Sequence, residues 1–273
     1  MPQGWQWDGT LFEGSAAYYA RGRLPYPAAL ASTLAAALHL DGHGRLLDVG
    51  CGPGVVTLRL AHLFAQAVGL DPDDAMLAEA ARRAHDLAIT NVRWVRARAE
   101  ELPLDLGTFR AATFAASFHW MERDLVAARI RDMLEPRGAF VQISAETDRV
   151  PESVAIKALR ERYLGAERHA GQGVLRHGTP NDELDVLRRA GFGEPDVIVV
   201  RGGGTVIRSV DEVVAAVFSH SASAPHLFAE HVSDFESELR ALLTAAQPSG
   251  GFVDQIPDAE LRIWRRPTGR EGD

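Results

Sequence analysis

Two rhythms of apolar and polar positions alternate along the first half of the chain. Pro27 to Leu40, rich in Ala and Leu, predicts a helix that stops at the Asp41-Gly42-His43-Gly44 turn. Arg45 to Val49 is then a short apolar run bounded by glycines, the pattern of a strand buried on both faces of a parallel sheet. Gly50-Cys51-Gly52-Pro53-Gly54 follows at once, and Val55, Val56, Leu58, Leu60, Leu63 and Phe64 recur at helical spacing. Ala67 to Leu70 predicts a second strand ending at Asp71-Pro72. Met76, Leu77, Ala80, Ala81 and Ala84 return to the helical period, and Val92 to Val95 predicts a third strand. The alternation continues with a strand at Phe109 to Phe114, a helix from Arg123 to Leu134, a stop at Pro136-Arg137-Gly138 and a strand from Ala139 to Ala145. Such a pattern makes an α/β fold, a parallel sheet with helices on both faces.

After Thr147 the pattern loosens. Val154 to Tyr163 reads as a helix, and Thr179-Pro180-Asn181-Asp182 as the cap of another that runs to Ala190 and stops at Gly191. Pro195 to Val200 predicts a strand, Ser209 with Glu212 opens a helix, a longer helix covers Leu227 to Ala246, and Glu260 to Arg265 predicts the last strand before a polar tail, Arg266 to Asp273.

Composition narrows the function classes. The 273 residues, 46% hydrophobic and 24% charged, suit one large α/β domain or two small ones. The 37 acidic against 29 basic side chains give a formal charge of -8, which disfavours nucleic acid and anionic membrane surfaces as partners. A single cysteine, Cys51, rules out an internal disulfide and fits a reducing compartment. Met1 to Thr10, with Trp5, Trp7 and Asp8, lacks the pattern of a secretory signal, and no apolar stretch reaches the roughly 20 residues needed to span a bilayer, so a cytoplasmic location is expected.

The chemistry is concentrated after the first strand. A strand running into a glycine loop and then a helix aims backbone N–H groups at a ligand that can approach closely because no Cβ intervenes. Asp71, 17 positions beyond Gly54 at the end of the next strand, is placed to accept hydrogen bonds from two ribose hydroxyls. Together they describe a nucleoside site. Nicotinamide and flavin sites use the same unit with the spacing G-x-G-x-x-G, whereas the third glycine here falls two places after the second.

At these residues the sequence resembles the class I S-adenosylmethionine-dependent methyltransferases, whose first motif reads much like Leu47 to Gly54. The resemblance extends through Asp71-Pro72, Met76-Leu77, Ala99 to Leu104, Phe118-His119-Trp120 and Met133 to Gly138, and Tyr19 to Pro27 is similar to an N-terminal segment of a small-molecule branch loosely like the trans-aconitate methyltransferases. It implies a Rossmann-like, seven-stranded, mostly parallel sheet with helical cap elements: a core of about 41–148, 180–208 and 257–267, and caps of about 1–40, 149–179 and 209–256. It further implies that Gly50, Cys51 and Gly52 lie against the methionine part of S-adenosylmethionine. Asp71 would hold the ribose, Pro72 and Met76 flank the adenine, Ala99 and Glu100 meet its edge, Ser117 stand near the sulfonium, and Tyr19 and Arg23 close over the carboxylate. The acceptor is expected to be a small molecule, methylated on O or N rather than C, by a monomer or homodimer. His119, near the end of the fourth strand, is the expected catalytic base for a hydroxyl or amine; a carboxylate acceptor needs none.

Two departures from the resemblance stand out. Where relatives carry an acid before Ala99 to bond the adenine amino group, this chain has Arg98, which cannot accept a hydrogen bond and is expected to point to solvent. Arg110 replaces an acid of structural importance. Other residues admit plain readings: Trp120 as a wall or core residue instead of a substrate stack, Tyr18 and Tyr19 as helix packing, and His119 as a buried neutral side chain. Arg93, Arg96 and Arg98 read as a solvated sheet edge, Cys51 as a small loop residue, and Phe218 to His226 as either a pocket-lining loop or a connector. A nicotinamide-dependent oxidoreductase, disfavoured by the glycine spacing and by the lack of an obvious Tyr-x-x-x-Lys pair, and a non-catalytic nucleoside-binding relative are the alternatives.

Overall fold

The computed structural model describes residues 6–176, 179 and 181–266. Residues 1–5, Pro180 of the predicted cap and 267–273 of the tail lie outside them. The predicted alternation folds into one seven-stranded sheet: β1 (Arg45–Val49), β2 (Gln66–Asp71), β3 (Val92–Arg96), β4 (Phe109–Ala115), β5 (Leu134–Ala145), β6 (Asp196–Val200) and β7 (Ala259–Arg265). The spatial order is β3-β2-β1-β4-β5-β7-β6. The first five strands run parallel, and β7 is antiparallel to both of its neighbours. The order reverses between β1 and β4, so a crevice opens at their C-terminal ends, where ligands of open α/β sheets bind.

The helices are α1 (Ala16–Gly22), α2 (Leu30–Leu38), α3 (Val55–Leu60), α4 (Asp74–Asp86), α5 (Arg123–Met133), α6 (Ser153–Leu164), α7 (Glu183–Arg189), α8 (Val210–Phe218) and α9 (Val232–Ala246). Because successive strand residues point to opposite faces, Leu46 and Leu47 feed different cores. Leu46, Ala67, Ala111 and Val141 pack under Leu30, Leu34 and Leu38 of α2 and Val56 and Leu60 of α3. Leu47, Val49, Phe114 and Phe140 pack under Val126, Ala127 and Ile130 of α5 and Val186 and Leu187 of α7. Asp48, 1% exposed, interrupts the apolar run, and its carboxylate accepts from Thr57 Oγ1 on α3 (2.5 Å) and Thr113 Oγ1 on β4 (2.8 Å).

A third apolar cluster forms the cap, with Ile156 and Leu159 of α6, Val213, Val217 and Phe218 of α8, and Phe235, Leu239 and Leu243 of α9. One expectation fails here. The long helix from Leu227 is split: Pro225–His231 is a 3-10 segment in which Ala229 has φ 47°, and α9 begins only at Val232. The region also holds an antiparallel ladder, Thr205–Ser209 with Gly251–Gln255, whose short strands pair across the intervening helices and so leave no local signature. A buried diagonal contact across it is ionic: Arg208 donates to Asp254 (2.8 and 2.5 Å), to Gly22 O (3.2 Å) and to Arg149 O (3.0 Å). Gly22 is needed where α1 crosses α8, because a Cβ there would lie 2.2 Å from the Ala216 nitrogen. The capping box at Ser209 and Glu212 forms as expected, whereas Asp182 gives α7 no side-chain cap.

Candidate cofactor and acceptor site

At the end of β1 the chain turns so that the Gly50 and Cys51 N–H groups both donate to Leu70 O (2.8 and 3.1 Å). Gly50 has φ +69°, and a Cβ on it would stand 2.6 Å from the Ser117 Cβ, so only glycine lets the loop pass β4. Ser117 donates to Val49 O (2.6 Å), fixing that approach. Gly52, at φ +52°, meets nothing within 4 Å of its missing Cβ. The space there is cavity. Asp71, 8% exposed, binds the loop from the neighbouring strand: one carboxylate oxygen accepts from Gly52 N (2.8 Å) and the other from Asp73 N (3.0 Å). Burial pushes its pKa up from 3.8 to about 6, against the pull of those two N–H groups. Each oxygen keeps capacity for a further donor.

A cavity of about 1160 Å³, its open mouth included, lies above this loop. The structure brings together in its wall Tyr19, Arg23, Gly50, Cys51, Gly52, Asp71, Pro72, Met76, Ala99, Glu100 and Ser117. Asp73 caps α4 by accepting from Ala75 N (2.8 Å) and Met76 N (3.1 Å), which holds Met76 at the rim. The Cys51 thiol is buried, and its pKa is raised by that burial, in keeping with a loop residue and not a nucleophile.

The lid extends beyond Tyr19 and Arg23 to residues that the sequence pattern does not single out. Trp7, Asp8, Leu11 and Phe12 line the cavity, as do Leu24, Tyr26 and Thr147. The signal was aromatic side chains in an otherwise unpatterned segment. Asp8 fastens that segment by accepting from Thr10 N (2.8 Å) and from Gln172 N (3.0 Å). Arg23 is clamped by the cap, donating to Ser219 Oγ and to Ser219 O (both 2.8 Å), and its guanidinium lies 4.6 Å from the Tyr19 ring centre. Ser15 Oγ adds a bond to Phe218 O (2.7 Å). The stretch Phe218 to His226 therefore acts through its anchors and is absent from the cavity wall.

Arg98 does not simply point to solvent. Its guanidinium lies 4.6 Å from the Trp7 ring centre and 3.3 Å from a Glu100 oxygen, so it joins the lid to the floor. Glu100 also accepts from Glu122 N (2.8 Å). Arg110 donates to Leu38 O (2.5 Å) and to Arg137 O, tying helix and strand ends where an acid was expected.

His119 departs further from expectation. It sits in a 3-10 turn, Phe118–Trp120, beyond β4 and is absent from the first cavity's wall. It lines a second, more open cleft, which shares Ala116 and Ser117 with the wall of the first. The turn rotates Trp120 into the first cavity instead, where it packs near Leu11, Ala170 and Leu175. Burial, with the charges of Arg168 and Arg123, lowers the His119 pKa from 6.5 to about 4, so the ring is neutral at pH 7 and titrates well below the ordinary histidine range.

Residues 46–138, which hold the glycine loop, Asp71 and the turn at His119, match the family described as a methyltransferase domain. The chain carries a class I S-adenosylmethionine-dependent methyltransferase domain. Over 156 residues it is 30% identical to a trans-aconitate 2-methyltransferase of Deinococcus radiodurans, 56% of each chain being covered. It is 29% identical over 183 residues to a ubiquinone/menaquinone biosynthesis C-methyltransferase of Methylobacterium nodulans, covering 60% of this chain and 72% of that one. The chain thus spans little more than half the length of the Deinococcus relative. Among solved structures, a [4+2]-cyclase, SpnF, superposes with a TM-score of 0.58 at 21% identity, covering 96% of each chain, a likeness of fold. The cofactor of this methyltransferase domain is S-adenosylmethionine. The cavity suits it: the open space at Gly52 admits a ligand against the backbone, and Asp71 retains acceptor capacity.

Proposed function

We propose that the protein is a methyltransferase acting on a small-molecule acceptor, by O- or N-methylation, in the cytoplasm. The observation that carries the reading is Asp71, a buried carboxylate that holds the glycine loop through Gly52 N and faces the cavity. Asp71 would take the ribose hydroxyls, Gly50, Cys51 and Gly52 the methionine portion, and Pro72 and Met76 the faces of the adenine. Ala99 and Glu100 would meet the adenine edge, where Arg98 leaves recognition to backbone groups, and Ser117 would stand nearest the second cleft. Tyr19 and Arg23 would close the site. S-adenosylmethionine, when bound, supplies an electrophilic methyl group on a sulfonium.

The chain's own contribution is alignment and exclusion of water. Trp7, Phe12 and Trp120 cover the cavity with apolar surface, and Ala116 and Ser117, which line both the first cavity and the second cleft, would bring an acceptor in that cleft next to the cofactor. His119, neutral on that side, can accept a proton from a hydroxyl or amine. The small-molecule reading is supported by the lid, whose Trp7 and Phe12 line the first cavity. Since the same fold is found in a [4+2]-cyclase, fold alone does not decide the reaction. Turnover is tested by following S-adenosylhomocysteine release with candidate acceptors: production that requires an acceptor and is lost in Asp71→Ala supports the assignment, and tight cofactor binding without turnover on any acceptor favours a binding protein.

A further inference from the structure

The second cleft has a chemical character of its own. Five carboxylates reach its wall, from Glu146, Asp148, Glu183, Asp258 and Glu260. Three are neutralised: Asp148 faces Arg23 (3.4 Å), Asp258 pairs with Arg201 (2.6 Å), and Glu260 with Arg262 (2.6 Å). The lining arginine, Arg149, donates to Gln255 O (3.4 Å) and faces Asp254 (3.9 Å). Glu146 and Glu183 have no ionic partner among the described residues.

Glu183 is the informative one. It is 8% exposed, lines the cleft, and has neither a hydrogen bond nor an ion pair from its side chain among the described residues. Its carboxylate meets only the solvent of the cleft, with its lone pairs open to any donor that enters there. Its position is fixed by its neighbour Asp182, which pairs with Arg123 (2.5 Å) at the start of α5, a few residues after the His119 turn. Two other acceptors in the same wall lack donors. Gln142 Oε1 is buried without a partner, and the His119 ring, neutral at pH 7, has no side-chain hydrogen bond among the described residues. What the cleft lacks is a cation with several N–H groups. An ammonium provides three donors and one positive charge.

The geometry points to the second cleft as the acceptor site and to a small ammonium-bearing molecule as its ligand, with Glu183 meeting the charge. Calling that ligand the acceptor rests on the methyltransferase reading; the binding itself does not. Phe114, Phe118, Ile256 and Pro257 give the cleft apolar wall for the body of such a molecule.

The test is calorimetric titration of the whole protein, with and without S-adenosylhomocysteine, using phenethylamine and its carboxylate counterpart 3-phenylpropionate as probes. The amine is expected to bind and the carboxylate not, and Glu183→Gln should weaken the amine roughly tenfold to a hundredfold while leaving S-adenosylhomocysteine affinity and the melting temperature unchanged. In wild type the amine should also shift the His119 imidazole resonances, a readout that holds even if the variant fails to fold. Preference for the carboxylate, an unchanged affinity in Glu183→Gln, unmoved His119 resonances, or no amine binding at about 10 mM overturns the proposal. Failure of S-adenosylhomocysteine alone to bind overturns the methyltransferase reading, and the amine titration without it still decides this one.

Discussion

Most of the floor of the first cavity comes from one stretch of chain, β1 through Glu100, while its lid joins residues 7–26 to a cap whose Ser219 lies 196 positions from Arg23. The floor satisfies itself locally: loop N–H groups bond Leu70 O, and Asp71 bonds Gly52. The lid depends on a few long-range tethers, Arg23 to Ser219, Ser15 to Phe218, Asp8 to Gln172 and Arg208 to Asp254. Local closure makes the floor rigid before a ligand arrives. Distant closure lets the lid be loosened without rebuilding the sheet.

The largest expected effect falls on the lid. Asp254→Ala leaves Arg208 charged and 3% exposed without its partner, and should cost about 3 to 5 kcal/mol of stability. Limited proteolysis should then cut the cap before the Rossmann core; simultaneous cleavage of both would break the distinction between the regions. Next comes the floor, where Asp71→Ala should weaken S-adenosylhomocysteine binding about tenfold to a hundredfold with little change in the lid's protection from proteolysis.

A pH series sharpens the floor's part. Since burial holds Asp71 near 6 against 3.8 in the unfolded chain, the folded protein protonates it first. Its charge therefore opposes folding above about pH 6, and that cost fades as pH falls from about 6 to about 4. Ligand affinity runs the other way, because the ionised form accepts the hydroxyls: binding should weaken up to about tenfold between pH 7 and pH 5. Calorimetry at the two values checks it, and equal affinities would mean that Asp71 is ionised throughout or is not a ligand. The smallest effect is expected for Ser219→Ala, which removes one of two bonds to Arg23 and should cost about 0.5 to 1.5 kcal/mol, read as a shift in melting temperature.

The same division governs how much was legible. Leu46 and Leu47, the glycine loop, Asp71 and the periodic helices could be read because strand, turn and helix each leave a local pattern, and these built the sheet and the cavity floor. The lid could not be read that way. Trp7 and Phe12 meet Arg98 and the cavity only through tertiary contacts, and Thr205–Ser209 pairs with Gly251–Gln255 across two helices. The sequence puts His119 near the end of β4, but the 3-10 turn that follows the strand carries it into the second cleft and brings Trp120 into the first. The alternation of Arg93, Arg96 and Arg98 reads as a solvated sheet edge and points Arg98 to solvent. The chain leaves that strand at Arg96, and Trp7 and Glu100 then supply a stack and a charge that no local pattern announces.

The most direct measurement is calorimetry of wild type and Asp71→Ala with S-adenosylhomocysteine and, separately, with NAD. One-to-one binding of S-adenosylhomocysteine to wild type, lost by about tenfold or more in the variant, with no binding of NAD, is the predicted result. Preference for NAD, or an affinity for S-adenosylhomocysteine that Asp71→Ala leaves intact, would contradict the assignment of the floor as its nucleoside site.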